Sequence, residues 1–368
     1  MSQFEKQICS GVLKCFMSNQ GADIMIDKSH LYKEHEIKYG NGEKDYNIYH
    51  IKANEIEGCH FDCLVVVPRN IENNAQIVVK SLNTGSPTPS SIKNVEETIL
   101  DEEEKLEDVF NYIKEENAIL IEPLIIQRID GPYYQQLTRD SLLDTTPGYK
   151  RVDMQVVNAI HTIREKLLNE DGMETKDKID LVGFSASGGF AQRFMFLHLE
   201  IVRAVYAGGA MDGIPLPIEK INEQDLHFPL GIADYEEITG KKFNINAFKN
   251  IKMRFSYGAK EKEILNYRYH DENGKPVSNF DMSYIRSITP EEDGKIMREI
   301  IGKTPEERFN KTVELYRRIG IDIETDIYSE LGHKESKESK QAVREFFKRV
   351  NEEEKDNIRP KDNNEEIE

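Results

Sequence analysis

Short apolar runs and amphipathic stretches take turns along this chain. Ile77-Val78-Val79, Ala118-Ile119-Leu120-Ile121, Ile179–Gly183, Val202–Ala207, Met253–Tyr257 and Ile321–Tyr328 have the length and composition of strands. Helical patterns lie between them. Val152, Val156, Ile160 and Ile163 recur near the ~3.6-residue helical repeat, within a predicted helix from Arg151 to Leu168. Further helices are predicted from about Asn94 to Glu116, from Pro305 to Ile319 and from about Glu335 to Val350. Residues 1–30 form a separate N-terminal segment. From Tyr32 to Val67 the pattern predicts two or three antiparallel strands, with Gly40-Asn41-Gly42 as a turn. The expected fold is α/β. It has a mostly parallel central sheet with antiparallel N-terminal strands, and helices on both faces. One domain spans 31–350, interrupted by two cap-like insertions, 212–250 and 262–302, that break the alternation. Residues 351–368 are acidic, contain Pro360 and lack an apolar stripe, so a disordered tail is predicted.

The densest chemical signal lies at the end of one strand. Residues Ile179 to Gly189 read Ile-Asp-Leu-Val-Gly-Phe-Ser-Ala-Ser-Gly-Gly and run into the amphipathic stretch Phe190–Phe196. Strand, sharp turn and helix with a serine at the turn match the nucleophile elbow, G-x-S-x-G. Such a turn lifts the hydroxyl clear of the sheet, and small neighbours let the helix pack close. The fifth position here is Ser187 instead of glycine. Ser185 fits the nucleophile's place, because Ser187 has a serine, not a glycine, two residues before it. A phosphate loop is excluded, since Gly189 and Phe190 stand where Lys and Ser or Thr are required.

Composition narrows the partners. The chain has 368 residues, enough for one large α/β domain with insertions. Its formal net charge of -18 disfavours nucleic acid and anionic membranes as partners. There is no run of the roughly 18 apolar residues needed to span a bilayer. The N-terminus lacks the features of a secretory signal, and a cytoplasmic location is expected. The four cysteines are Cys9, Cys15, Cys59 and Cys63. Cys59, Phe61, Cys63 and Val65 alternate with their neighbours, which predicts one buried strand face and no metal site.

A serine hydroxyl needs a base in hydrogen-bond reach, and the base needs an orienting carboxylate. In elbow-bearing folds both follow the serine, acid before histidine. Four histidines follow: His198, His227, His270 and His333. His198 falls on the elbow helix, and His227 and His270 fall in the insertions. His333 falls directly after the last strand, where the base is expected. Glu261, in the turn Gly258-Ala259-Lys260-Glu261, is the leading acid; Asp281 and Asp212 are alternatives. The oxyanion hole is expected from the Ala186 N–H and from an N–H at Asn83 or Thr84, in the loop after the third strand. Arg139 is a candidate partner for a substrate carboxylate, or else it holds its own loop through Asp140 or nearby backbone.

The chain resembles bacterial α/β-hydrolases related to esterases and polyhydroxyalkanoate depolymerase-like proteins. The resemblance rests on the Gly183-Phe-Ser-Ala-Ser-Gly elbow, on Tyr134–Leu142 before Arg151–Gln155, and on Asn83-Thr84-Gly85. It extends to Pro229–Asp234 and Ile238-Thr239-Gly240. It implies Ser185, an acid and His333 as a triad, insertions over the active site, and no metal or organic cofactor. Glu261 stands where such proteins are expected to carry aspartate. The resemblance does not supply a substrate; the reading of the residues is a serine hydrolase that cleaves a small-molecule carboxylic ester through an acyl-enzyme. A peptidase or acyltransferase on the same triad is the first alternative. A catalytically silent hydrolase fold that acts as a binding module is the second.

Overall fold

The computed structural model describes residues 46–82, 109, 111–126, 132–210, 214–261, 265–270, 276–278 and 290–358. The chain enters the sheet through β1 (Tyr46–Ile51) and β2 (Cys63–Pro68), followed by β3 (Ala75–Val79) and β4 (Ala118–Pro123). Helices α1 (Arg139–Leu143) and α2 (Val152–Asp171) lead to β5 (Thr175–Phe184), α3 (Ala186–Leu197) and β6 (Val202–Gly208). A first excursion carries β7 (Lys220–Ile221), β8 (Gln224–Asp225), α4 (Tyr235–Thr239) and α5 (Ile245–Lys249) before β9 (Lys252–Gly258). A second carries β10 (Leu265–His270), β11 (Pro276–Ser278) and α6 (Glu291–Ile296). Then come α7 (Pro305–Arg318), β12 (Ile323–Tyr328) and α8 (Lys337–Ile358).

Eight of the described strands form one sheet, in the order β1-β2-β4-β3-β5-β6-β9-β12. β2 pairs antiparallel with both β1 and β4, and every later pair is parallel. Strands β2, β3, β4 and β6 are buried along their whole length, as expected for strands covered on both faces. Successive side chains serve opposite faces. Cys63, Val65, Ile77, Val79, Ile119, Ile121, Val205 and Ala207 pack on one side with residues of α2, α3, α7 and the first excursion. Leu64, Val66, Val78, Ala118, Leu120, Ala204 and Tyr206 pack on the other with Tyr112, Ile113 and Phe346 and Phe347 of α8. Every parallel strand therefore ends at the same rim of the sheet. That rim is where such sheets place their ligands.

Two sequence expectations need correction. The final helix does not stop near Val350 but continues to Ile358, so 351–358 is not tail. Charge pairs hold this polar end: Glu354 meets Arg203 at 2.8 Å and Lys176 at 2.5 Å, and Glu353 meets Lys252 at 2.8 Å. The rest of the predicted tail lies outside the described residues, as do the segment 1–30, Cys9, Cys15 and the turn at Gly40. Cys59 and Phe61 are buried on the predicted face, yet they precede the strand, which begins at Cys63. The described part of the first insertion, beyond breaking the alternation, contributes to the core of the sheet domain. Leu226, Phe228, Leu230, Tyr235 and Phe248 join the main core.

Candidate active site

β5 ends at Phe184 and α3 begins at Ala186, so Ser185 alone makes the turn. Its φ of 61° and ψ of -124° lie in a region that costs a non-glycine residue about 1–3 kcal/mol. Neighbours hold it there. The Ser185 N–H donates to the Gly208 carbonyl at 2.9 Å, and the Gly189 N–H donates to the Ser185 carbonyl at 3.0 Å. Close packing completes the turn: a Cβ at Gly188 would stand 2.6 Å from the Gly208 carbonyl oxygen, so the glycine that ends the motif lets helix and strand meet. Ser187, the departure from the usual motif, is fully buried. Its hydroxyl accepts from the Phe184 N–H at 2.9 Å and donates to the Phe184 carbonyl at 2.8 Å.

Ser185, His333 and Glu261 meet at the rim. His333 Nε2 lies 2.7 Å from Ser185 Oγ, and His333 Nδ1 lies 2.7 Å from Glu261 Oε1. With the serine protonated, its O–H donates to Nε2 and the ring N–H at Nδ1 donates to the carboxylate. The Glu261 side chain is 4% exposed and that of His333 is 24% exposed, so the acid is sheltered and the base faces the opening. The turn after β9 and the loop after β12 carry these two groups, and they are bonded to each other through backbone. The Ala259 N–H donates to the Tyr328 carbonyl at 2.9 Å, and the Lys260 N–H donates to the Leu331 carbonyl at 2.7 Å. An outer ion pair, Lys260 with Glu330, spans the same two loops.

One wall of His333 is aromatic. The Phe184 ring lies 5.1 Å from the imidazole, centroid to centroid. Gly209, at φ 59°, fills the corner between them. A Cβ there would come within 2.8 Å of the Phe184 ring and 3.2 Å of His333 Cε1. Neither Phe184 nor Gly209 stood out in the sequence, because their role is to touch a residue more than a hundred positions away.

The other predicted residues fall as follows. Ala186 opens α3, where the first N–H groups have no intrahelical acceptor. Asn83, Thr84, Asp212 and Asp281 lie outside the described residues. Arg139 pairs with Asp234 of the first excursion, not with Asp140. Asp234 also accepts the Phe228 N–H at 2.8 Å. His227 Nδ1 meets Asp293 of α6 at 3.0 Å, and Asp293 accepts the His227 N–H at 2.5 Å, which ties the two excursions together. His198 is buried on Asp153, 3.1 Å away. Burial pushes the Asp153 carboxyl up, but Arg151 and His198 outweigh it and hold the group well below the usual carboxylate range.

No protein-family model matches the sequence, and no curated protein matches it. Solved structures do share its architecture. It is similar to poly(aspartic acid) hydrolase-1 from Sphingomonas sp. KT-1, at 13% identity over 82% of this chain and 98% of that one, with a TM-score of 0.50. A poly(3-hydroxybutyrate) depolymerase from Bordetella parapertussis overlaps 83% of this chain and 90% of its own, at 12% identity and a TM-score of 0.48. The sheet order, the antiparallel entry and the likeness to the Sphingomonas structure make the fold that of the α/β-hydrolases.

Proposed function

We propose that the protein is a serine hydrolase that cleaves a small carboxylic ester through Ser185, His333 and Glu261. The observation that carries this reading is that both ring nitrogens of His333 are engaged at 2.7 Å, one by the serine and one by the carboxylate. His333 takes the Ser185 proton as Oγ attacks the ester carbonyl, and then gives it to the departing alcohol. Water repeats the sequence and releases the acid. Glu261 holds the imidazole in the tautomer that leaves Nε2 free to accept, and it stabilises the imidazolium that forms. The Ala186 N–H and an N–H at Asn83 or Thr84 receive the developing oxyanion. The net charge of -18 disfavours a polyanionic substrate, so a neutral or cationic ester fits better.

Labelling with a fluorophosphonate, followed by peptide mapping, tests the assignment. Wild type takes the label on Ser185. Ser185→Ala abolishes labelling at that site, and His333→Ala slows it by about 10³-fold or more. Glu261→Gln slows it by about 10²–10⁴-fold, because the neutral amide no longer selects the tautomer. A folded wild type that stays unlabelled, or carries the label on Ser187, overturns the reading. Product analysis on a model ester then separates hydrolysis from acyl transfer to another alcohol or amine.

A further inference from the structure

We infer that Ser187 is a positioning residue for the reaction. In this view its hydroxyl holds the Phe184 peptide, and through the Phe184 ring it sets the place of His333 against Ser185. The inference rests on the assignment of Ser185 and His333 proposed above.

The need for Ser187 follows from where the sheet ends. The ladder between β3 and β5 reaches Val79 and Leu181 and goes no further. Phe184 lies three residues beyond it. Along a strand, successive peptide groups point to opposite neighbours. The Ser185 N–H is spent on Gly208, on the β6 side. The N–H and C=O of Phe184 therefore point towards β3, past the end of that strand's ladder. One side chain meets both: Ser187 Oγ accepts at 2.9 Å and donates at 2.8 Å. A glycine in the fifth position of the motif could make neither bond. The hydroxyl thus closes a ring from the last residue of the strand to the first turn of α3, with Ser185 inside it.

What the ring fixes is chemical as well as structural. Phe184 is the residue immediately before the serine, so its peptide plane sets the direction from which Ser185 enters its strained conformation. Its side chain is the wall of His333, 5.1 Å between centroids. Gly209 leaves the space in which the two rings meet, since even a Cβ there would crowd both. Nucleophile and base are thus referenced to the same residue, and Ser187 holds that residue by its backbone. Through these two bonds Ser187 acts on Phe184 and not on a reacting atom.

The experiment compares full-length wild type with S187A, F184A and the double variant S187A/F184A. Two quantities are read well below each melting midpoint. One is the second-order rate of fluorophosphonate labelling; the other is the NMR resonance of the His333 Nδ1 proton. S187A is expected to slow labelling by about 10-fold or more and to shift or broaden the ring resonance. A hydroxyl that only supports the helix would lower the melting midpoint and leave both readings unchanged. If Ser187 acts through Phe184, the two single effects do not multiply, and the double variant is little slower than the slower single. S187C keeps the volume while weakening the same two bonds, and it carries the test if S187A does not fold. Wild-type labelling and an unchanged ring resonance in S187A would overturn the inference. So would effects of S187A and F184A that multiply. A folded wild type that never labels overturns the hydrolase reading alone, because the NMR reading follows the geometry of His333 without turnover.

Discussion

Single atoms decide whether the elbow can form. Gly188 and Gly189 are adjacent, and chain position alone does not distinguish them. A Cβ at Gly188 would stand 2.6 Å from the backbone oxygen of Gly208, whereas at Gly189 the nearest atom would be Arg193 Nη1 at 3.9 Å. Backbone cannot yield as a side-chain end can. Gly188→Ala is therefore expected to cost about 1–3 kcal/mol and to slow labelling of Ser185. Gly189→Ala should be neutral, or stabilising by up to about 1 kcal/mol, since alanine is the better helix former. Chemical denaturation of the two variants checks this, and equal effects would refute it. Most of the site was legible at this scale. Ser185 was marked by its turn, His333 by its place after the last strand, and Glu261 by its place after the preceding one. Ser187 was visible as a departure from the motif, but its hydrogen bonds could not be read from a one-dimensional string.

Among the elements, those with an apolar stripe were legible and those held by charge were not. The runs at Ile77, Ile119 and Val205 announce strands because burial on both faces demands apolar residues. The last two turns of α8 contain no such run. They stay helical where Asn351, Glu353 and Glu354 find partners on distant elements. Arg139 and Asp234 likewise meet across 95 residues of chain. At the foot of the sheet, Arg203 lies between Glu354 of α8 and the fully buried Asp180 of β5, which it meets at 2.9 and 2.5 Å. Burial already raises the Asp180 carboxyl in spite of this partner. Arg203→Met should cost about 3–5 kcal/mol at neutral pH, because it strands a charge in the interior. A carboxyl whose folded pKa lies above its unfolded value is favoured by folding in its protonated form. The loss in Arg203→Met should therefore shrink as pH falls from 8 towards 5. Urea melts of wild type and variant across that range test the sign, and a loss that grows on acidification would contradict it.

For the molecule as a whole, the sheet is a partition. One side is covered by α2, α3, α7 and the first excursion, the other by α8 and the helical segment around Tyr112. Ser185, His333 and Glu261, the candidate site, stand on the rim between. The excursions are fastened as well as packed: Asp234 and Asp293 each hold a backbone N–H and a cationic or ring nitrogen of another segment. Over this frame lies a net charge of -18, which repels itself. Added salt shortens the reach of that repulsion from about 30 Å at 0.01 M to about 3 Å at 1 M. The melting midpoint is expected to rise by a few degrees as sodium chloride is raised across that range. A midpoint that falls would show that exposed attractive ion pairs such as Lys252 with Glu353 outweigh the excess of negative charge.

Glu261 and His333 hang from loops stitched backbone to backbone, while Ser185 hangs from another strand altogether. Among the described contacts, the serine reaches that pair through its own 2.7 Å bond to His333, past the Phe184 wall, and through the sheet, where the Gly209 N–H donates to the Ser256 carbonyl at 3.1 Å. On the proposed assignment, a change that moves the elbow parts Ser185 from His333 and leaves His333 on Glu261. On that assignment, whatever wedges Ser185 from His333 silences the nucleophile while the rest of the fold stands.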